Sequence, residues 1–239
     1  MWNSPRALNR ISGATFALTI LTLLCVMAWR VAHFDAFSVR EITVLGEITH
    51  VTRAQVEAIV FSELEGTFFT VELGAAKAAF EKLPWVRRVE VRRRWPNRLE
   101  VAVEEHRELA RWGNSALVNR YGEVFEGASN NRLPKFEGPA GSWLEVTRNY
   151  LLFDEALRQI GRRVETVQVS ERRAWRVRLD DGTVIELGRD GVIARLTNYV
   201  TAYGHSVARL EGGARHVDLR YANGFSVRVK GLRWSDTRA

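Results

Sequence analysis

The stretch ISGATFALTILTLLCVMAW, Ile11 to Trp29, holds 19 residues without a charge, between Arg10 and Arg30. As a helix it spans roughly 28 Å, close to the ~30 Å hydrocarbon core of a bilayer. In hydrocarbon a single segment can satisfy its backbone only as a helix. The chain must therefore begin with a membrane span and fold its remaining ~200 residues apart from it. Trp2 and Trp29 flank the run at interfacial depth. Arg6 and Arg10 precede it with no acid, whereas Asp35 and Glu41 dilute the basic residues that follow. The positive-inside bias places residues 1–10 in the cytoplasm as a tail, residues 11–30 across the bilayer, and the rest outside the cytoplasm. A cleaved signal would need a cut near Val26-Met27-Ala28, but the apolar run is longer than a normal signal core and Trp29-Arg30 follows at once. A lipoprotein reading fails at Leu24, before Cys25, where a small residue is required.

Over all 239 residues, 46% hydrophobic and 26% charged residues are ordinary for globular material. Cys25 is the single cysteine, which excludes an intrachain disulfide and a thiolate metal cluster. Residues 35–106 read as one compact unit. Phe37–Gly46 alternates as a strand, and Val51–Leu64 has a Thr52 start signal with Val56, Ile59, Val60 and Leu64 at helical spacing. Leu73–Leu83 is a second short helix stopped by Pro84. Strands Val86–Arg94 and Arg98–Glu105 follow, joined at Trp95-Pro96-Asn97, for a β-α-α-β-β order.

Residues 107–231 read as a mixed β-sheet with two helices, and 232–239 as a C-terminal tail, so the whole is an α+β protein. Strands are expected at Glu108–Trp112 and Ser115–Asn119, then a turn at Tyr121-Gly122 and a loop over Asn130–Ser142. Trp143–Ile160 is a helix capped by Gly161. Val164–Ser170, Ala174–Leu179 and Val184–Leu187 form a meander turning at Asp180-Asp181-Gly182. Gly188–Leu210 is expected as one long helix, and His216–Tyr221 and Phe225–Lys230 as the last two strands.

Catalysis finds no foothold in these residues. His33, His50, His106, His205 and His216 have no metal-ligand spacing. Ser206, in Gly204-His-Ser-Val-Ala208, falls inside an expected helix instead of the strand-to-helix turn of a nucleophile elbow. Asp180-Asp181 is turn chemistry. No phosphate-binding glycine motif is present, so no enzyme activity, cofactor, metal or small-molecule substrate is implied. The net charge of +7 and pI near 10.0 raise nucleic acid as a ligand. Two features oppose it: the span places the arginines outside the cytoplasm, and they alternate with Glu and apolar residues. In PWVRRVEVRRRWPNRLEVAVEEH, Val89 and Val91 share one face of a hairpin with Leu99, Val101 and Val103. Glu90, Arg92 and Arg94 face the other way with Glu100 and Glu104, offsetting one another across the strands.

Several stretches, in order, resemble the FtsQ/DivIB family of bacterial divisome proteins: FSVREITVLG, LPWVRRVEVRRRWPNRLEVAVEEHRELARW, LVNRYGEVF, LPKFEGPAG, RRAWRVRLDDGTVIELGR and VDLRYANGFSVR. The resemblance covers essentially the whole chain. It implies a POTRA domain followed by a β domain, in a single-pass inner-membrane protein with its C-terminal part in the periplasm and its place at the division septum. It implies a non-enzymatic scaffold that links early and late division proteins, takes part in septum assembly and binds FtsB and FtsL, with other divisome membrane proteins as further candidates. The family's partner segment adds as a strand after an R-Y-x-x-G motif, which points here to Arg220, Tyr221, Asn223, Gly224, Phe225, Val227 and Val229. Arg172 matches a family arginine of the same region, and Val229 stands where some members carry a tryptophan. Tyr221 would offer a rigid contact with a polar end, and Gly224 a close backbone approach. On the POTRA strand, Arg88, Val91 and Arg93 match positions tied to septal localisation. The alternative is an anchored POTRA-type module for polypeptide transport or envelope chaperoning. Such a module is expected to continue into a barrel or further POTRA copies, which do not follow here.

Overall fold

A computed structural model describes residues 5–34, 37–63, 66–210, 213–221 and 224–229. Leu64, Asn223, Lys230 and the tail 232–239 lie outside these residues. Helix α1, Pro5–Ala32, starts inside the expected cytoplasmic tail, and its Asn9–Ala32 portion is long and apolar enough to cross a membrane. Three threonine hydroxyls are satisfied within the helix. The hydroxyls of Thr15, Thr19 and Thr22 donate to the carbonyls of Ile11, Thr15 and Leu18 at 3.0, 2.9 and 2.8 Å. Leu23, Met27 and Phe16 stand exposed around it, as a lipid-covered helix requires.

The rest divides into two compact units, with the boundary between Glu105 and His106. The first runs β1 (Glu41–Leu45), α2 (Arg53–Glu63), α3 (Leu73–Glu81), β2 (Val86–Arg94) and β3 (Arg98–Glu105). Its sheet has the order β1-β3-β2, with β1 parallel and β2 antiparallel to the central β3. Val56, Phe80, Val86, Val89, Val101 and Val103 form its core. Strand β1 is shorter than the alternation from Phe37 suggested, because Ser38 bridges to Thr67 instead of joining the sheet.

Two local devices set this unit's geometry. Thr52 and Gln55 form a reciprocal capping box at the start of α2: the Thr52 N–H donates to Gln55 Oε1 at 2.8 Å, and the Gln55 N–H to Thr52 Oγ1 at 3.3 Å. The Glu105 carboxylate accepts the N–H groups of Thr49, His50 and Val51 at 2.8–3.1 Å, and His50 Nδ1 lies 3.2 Å away. Burial alone would raise the Glu105 pKa, but these donors outweigh it and hold the group below the ordinary carboxylate range. On the hairpin, Arg87 pairs with Glu104 at 2.7 Å and Arg94 with Glu100 at 2.6 Å, while Arg92 pairs with Glu90 along its own strand. The charges offset as expected, but a register shift between Val86 and Arg88 gives Glu104 to Arg87.

The second unit is built on β4 (Glu108–Trp112), β5 (Ala116–Asn119), β6 (Val124–Glu126), β7 (Lys135–Glu137), α4 (Trp143–Arg158), β8 (Val164–Val169), β9 (Trp175–Leu179), β10 (Val184–Gly188), α5 (Val192–Tyr203), β11 (Ala214–Asp218) and β12 (Ser226–Val229). One nine-stranded sheet has the order β12-β11-β10-β9-β8-β7-β4-β5-β6. Two of its strands correct the sequence reading. The expected loop 130–142 contains β7, which pairs in parallel with both β4 and β8, and β6 follows the turn at Tyr121-Gly122. Three residues are too few to show a period, so only the tertiary pairing reveals them.

The expected helix 188–210 is also corrected. Gly188 ends β10 with φ 79°, Gly191 precedes α5 in the left-handed region, and α5 stops at Tyr203. Ser206 therefore sits past the helix, where its hydroxyl donates to the Ala202 carbonyl at 2.6 Å. Helices α4 and α5 lay Val146, Tyr150, Phe153, Leu157, Leu196 and Tyr199 on one face of the sheet, and the core lies there.

Candidate partner-binding edge

The register across the sheet sorts every strand residue to one of two faces. Phe136, Val167, Val177, Ile185, Val217 and Val227 lie side by side under the helices. All but Val227 are fully buried. Val227 belongs to β12, which pairs antiparallel with β11 and, among the described residues, with nothing on its other side. An edge strand carries a row of backbone N–H and C=O groups open to a further strand.

Phe225 precedes this strand and is anchored inward: its ring meets Tyr199 edge-on at 5.5 Å. Val227 packs against the same core and Val229 is half-buried on that side. Ser226 and Arg228 point to the opposite, open face.

The turn before β12 is held by Asp218. Its carboxylate accepts Nε and Nη2 of Arg220 at 2.8 and 2.6 Å, and the Arg220 N–H at 3.0 Å. The guanidinium contact holds the buried Asp218 below the usual carboxylate range and raises the exposed Arg220 reciprocally. Arg220 lies over Gly188, where a Cβ would meet Arg220 Cγ at 3.2 Å and Arg195 Nη1 at 2.7 Å. Arg195 in turn donates to the Leu187 carbonyl at 2.9 Å. Asp218, Gly188 and Arg195 shape this candidate site, and sequence reasoning missed them. The spacing Asp218-x-Arg220 carried a signal, since residues two apart on extended chain share a face.

Tyr221 is 59% exposed beside this clamp. Arg172 sits exposed at the turn joining β8 to β9. Its neighbour Arg173, with φ 61°, pairs with Glu145. Because β9 starts where β10 and β11 end, Arg172, Gly188, Arg220 and Tyr221 share one end of the sheet. Gly224 lies just before β12 and is exposed. A Cβ there meets nothing within 4 Å and its φ is not left-handed, so among the described residues no need for glycine arises. Gly188→Ala is therefore expected to cost about 1–2 kcal/mol, from the left-handed backbone, and Gly224→Ala close to nothing. Paired thermal melts of the two variants check this contrast; equal melting points would contradict it.

The three POTRA positions do not form one patch. Arg88 is exposed on the outer face of β2, while Val91 and Arg93 share the inner face. Arg93 is already engaged: its Nε and Nη2 donate to the Phe68 and Val71 carbonyls at 2.8 and 2.7 Å. It ties β2 to the segment before α3. Among the described residues, no group of His, Cys, Asp and Glu side chains is arranged to hold a metal.

Comparison with known proteins agrees with this architecture. Residues 37–106 match the family model for the POTRA domain, FtsQ-type, and residues 110–220 that for cell division protein FtsQ/DivIB, C-terminal. The chain is 45% identical to a cell division protein FtsQ of Nitrosospira multiformis, over 95% of this chain and 99% of the relative. It is 40% identical to the FtsQ of Burkholderia pseudomallei, over 98% and 96% of the two chains. To that of Bordetella pertussis it is 34% identical, over 97% and 94%. With both units matched in order and relatives similar from end to end, this chain belongs to the FtsQ/DivIB family of cell division proteins.

Proposed function

We propose that the chain is a non-enzymatic scaffold of the division septum that captures a partner segment by strand addition at β12. The observation that carries this reading is the one-sided pairing of β12, directly after the Arg220-Tyr221 turn. Strand addition gains affinity from main-chain hydrogen bonds and specificity from side chains on alternate faces. The partner proposed is FtsB, in complex with FtsL, as the family resemblance implies. The anchor α1 holds the N-terminus in the cytoplasm, by the arginine bias around the span, and both units in the periplasm. Arg172, Arg220 and Tyr221 meet the end of the incoming segment, and Phe225, Val227 and Val229 back it from the core side. On the POTRA unit, Arg88 is the docking residue, with Val91 and Arg93 shaping the strand behind it. The scaffold thereby joins early to late division proteins and takes part in septum assembly.

Successive strand residues aim their N–H groups to opposite sides, so prolines at Ser226 and Val227 test the edge separately. One removes a bond to β11 and the other an outward donor. The outward variant is expected to retain its melting point while capture of FtsB from detergent-solubilised membranes falls at least roughly tenfold. Undiminished capture by both variants overturns strand addition. Uniform peripheral fluorescence of a tagged full-length chain, with no midcell band, overturns the septal reading.

A further inference from the structure

The open face of the nine-stranded sheet carries its charge in rows, and one row ends unbalanced at the β12 edge. Moving inward from the edge, Arg228 lies beside His216, then Val184, then Arg178, with Lys135 and Arg111 further along. The neighbouring row is led by Ser226 and Asp218 and continues through Glu186, Arg176 and Glu137. Inside the sheet these cations find partners within their own row, in the other row or on a neighbouring loop. Lys135 pairs with Glu137 at 2.7 Å, Arg176 with Glu186 at 2.6 Å, and Arg111 donates to the Ser129 carbonyl at 2.6 Å. The charge of Arg178 also reaches Glu137.

Arg228 is the exception. It is exposed, and its side chain has no hydrogen bond or ion pair among the described residues. Its lateral neighbour is His216, and the diagonal Asp218 is already held by Arg220, so among the described residues β11 leaves no carboxylate to pair with it. Directly opposed strand residues stand ~5 Å apart, where opposite charges attract and like charges repel. A strand added at β12 must place one side chain on the open face at that distance from Arg228, and another beside the uncharged Ser226.

Resting on edge addition at β12, we propose that the incoming strand bears a carboxylate side chain lateral to Arg228, an uncharged residue beside Ser226, and apolar residues between them facing the core side. Arg228 is then a specificity-determining residue that selects an acidic, alternating segment and rejects a basic one. This selection is separate from the contacts at the Arg172 and Arg220 end of the sheet.

The test uses the full chain in nanodiscs of zwitterionic lipid and three labelled ten-residue peptides of alternating Val and Thr. In them a central Thr is kept, replaced by Glu, or replaced by Lys. Fluorescence anisotropy is expected to show the Glu peptide binding roughly fivefold or more tighter than the Lys peptide. The order should reverse with Arg228→Glu and persist with Arg178→Glu, whose site lies three strands inward. Equal affinity for the Glu and Lys peptides, with the Thr peptide binding and a proline in β12 abolishing it, overturns the carboxylate assignment and leaves edge addition standing. A preference lost as fully with Arg178→Glu as with Arg228→Glu also overturns it, since the effect would be the general field. Failure of all three peptides to bind overturns edge addition itself.

Discussion

Phe136→Ala is expected to destabilise the C-terminal unit by about 3–5 kcal/mol, the range for truncating a fully buried aromatic residue. Phe136 is 0% exposed, and its ring lies 4.8 Å from that of Tyr150 on α4. It occupies β7, a three-residue strand that alone joins β4 to β8 in the sheet order. A cavity there strips the central row of a fully buried member and loosens the one ladder that, among the described residues, connects the two parts of the sheet. Hydrogen exchange on the full chain checks this. Amides of β8, β9 and β10 should lose protection while those of β2 and β3 keep theirs. Unchanged protection in β8–β10 would show that the helices hold the sheet without β7.

Glu105→Ala is expected to cost the POTRA unit about 2–4 kcal/mol, because one carboxylate satisfies three backbone N–H groups and its loss leaves them without their acceptor. The same contact makes stability depend on pH. The folded-state pKa of Glu105 is depressed, so its contribution is fully present above the unfolded-state value. It is lost as pH falls through the lower folded-state value. Acid titration of the unaltered chain should therefore show the β2–β3 unit weakening below about pH 4. Glu105→Gln should flatten that slope and lower the plateau above it. A slope that survives Glu105→Gln unchanged would assign the acid sensitivity to other carboxylates.

The elements that announced themselves are those whose pattern repeats several times within one segment. The apolar run of α1 is continuous, while the 3.6-residue stripes of α2 and α4 and the hairpin of β2 and β3 each bury one face of a long segment. Their order, and the Thr52 and Gly161 end signals, therefore follow from local chemistry. Gly161 takes the left-handed conformation as expected, with the Arg162 N–H bonded to the Leu157 carbonyl. Strands β6 and β7 did not announce themselves, since a three-residue strand shows no period and Pro134 and Gly138 read as loop. The helix expected from Gly188 failed for a related reason. Gly188 and Gly191 both take left-handed backbone, which apolar spacing does not reveal.

At the candidate edge, the residues were readable but their arrangement was not. Family resemblance picked out Arg172, Arg220, Tyr221 and the strand from Phe225. The Asp218 clamp, the glycine under Arg220 and the split of Arg88 from Val91 and Arg93 came only from register and packing. What the sequence by itself determined is the membrane anchor, the two-unit order and the alternation that makes the last segment a strand. Each of these is a short-range matter of hydrophobic period and turn chemistry. Only the tertiary structure decided that this strand lies at an edge and that, among the described residues, Arg228 ends a charge row without a counterpart. Both depend on which strands become neighbours, and that is settled by long-range pairing across segments far apart in the chain.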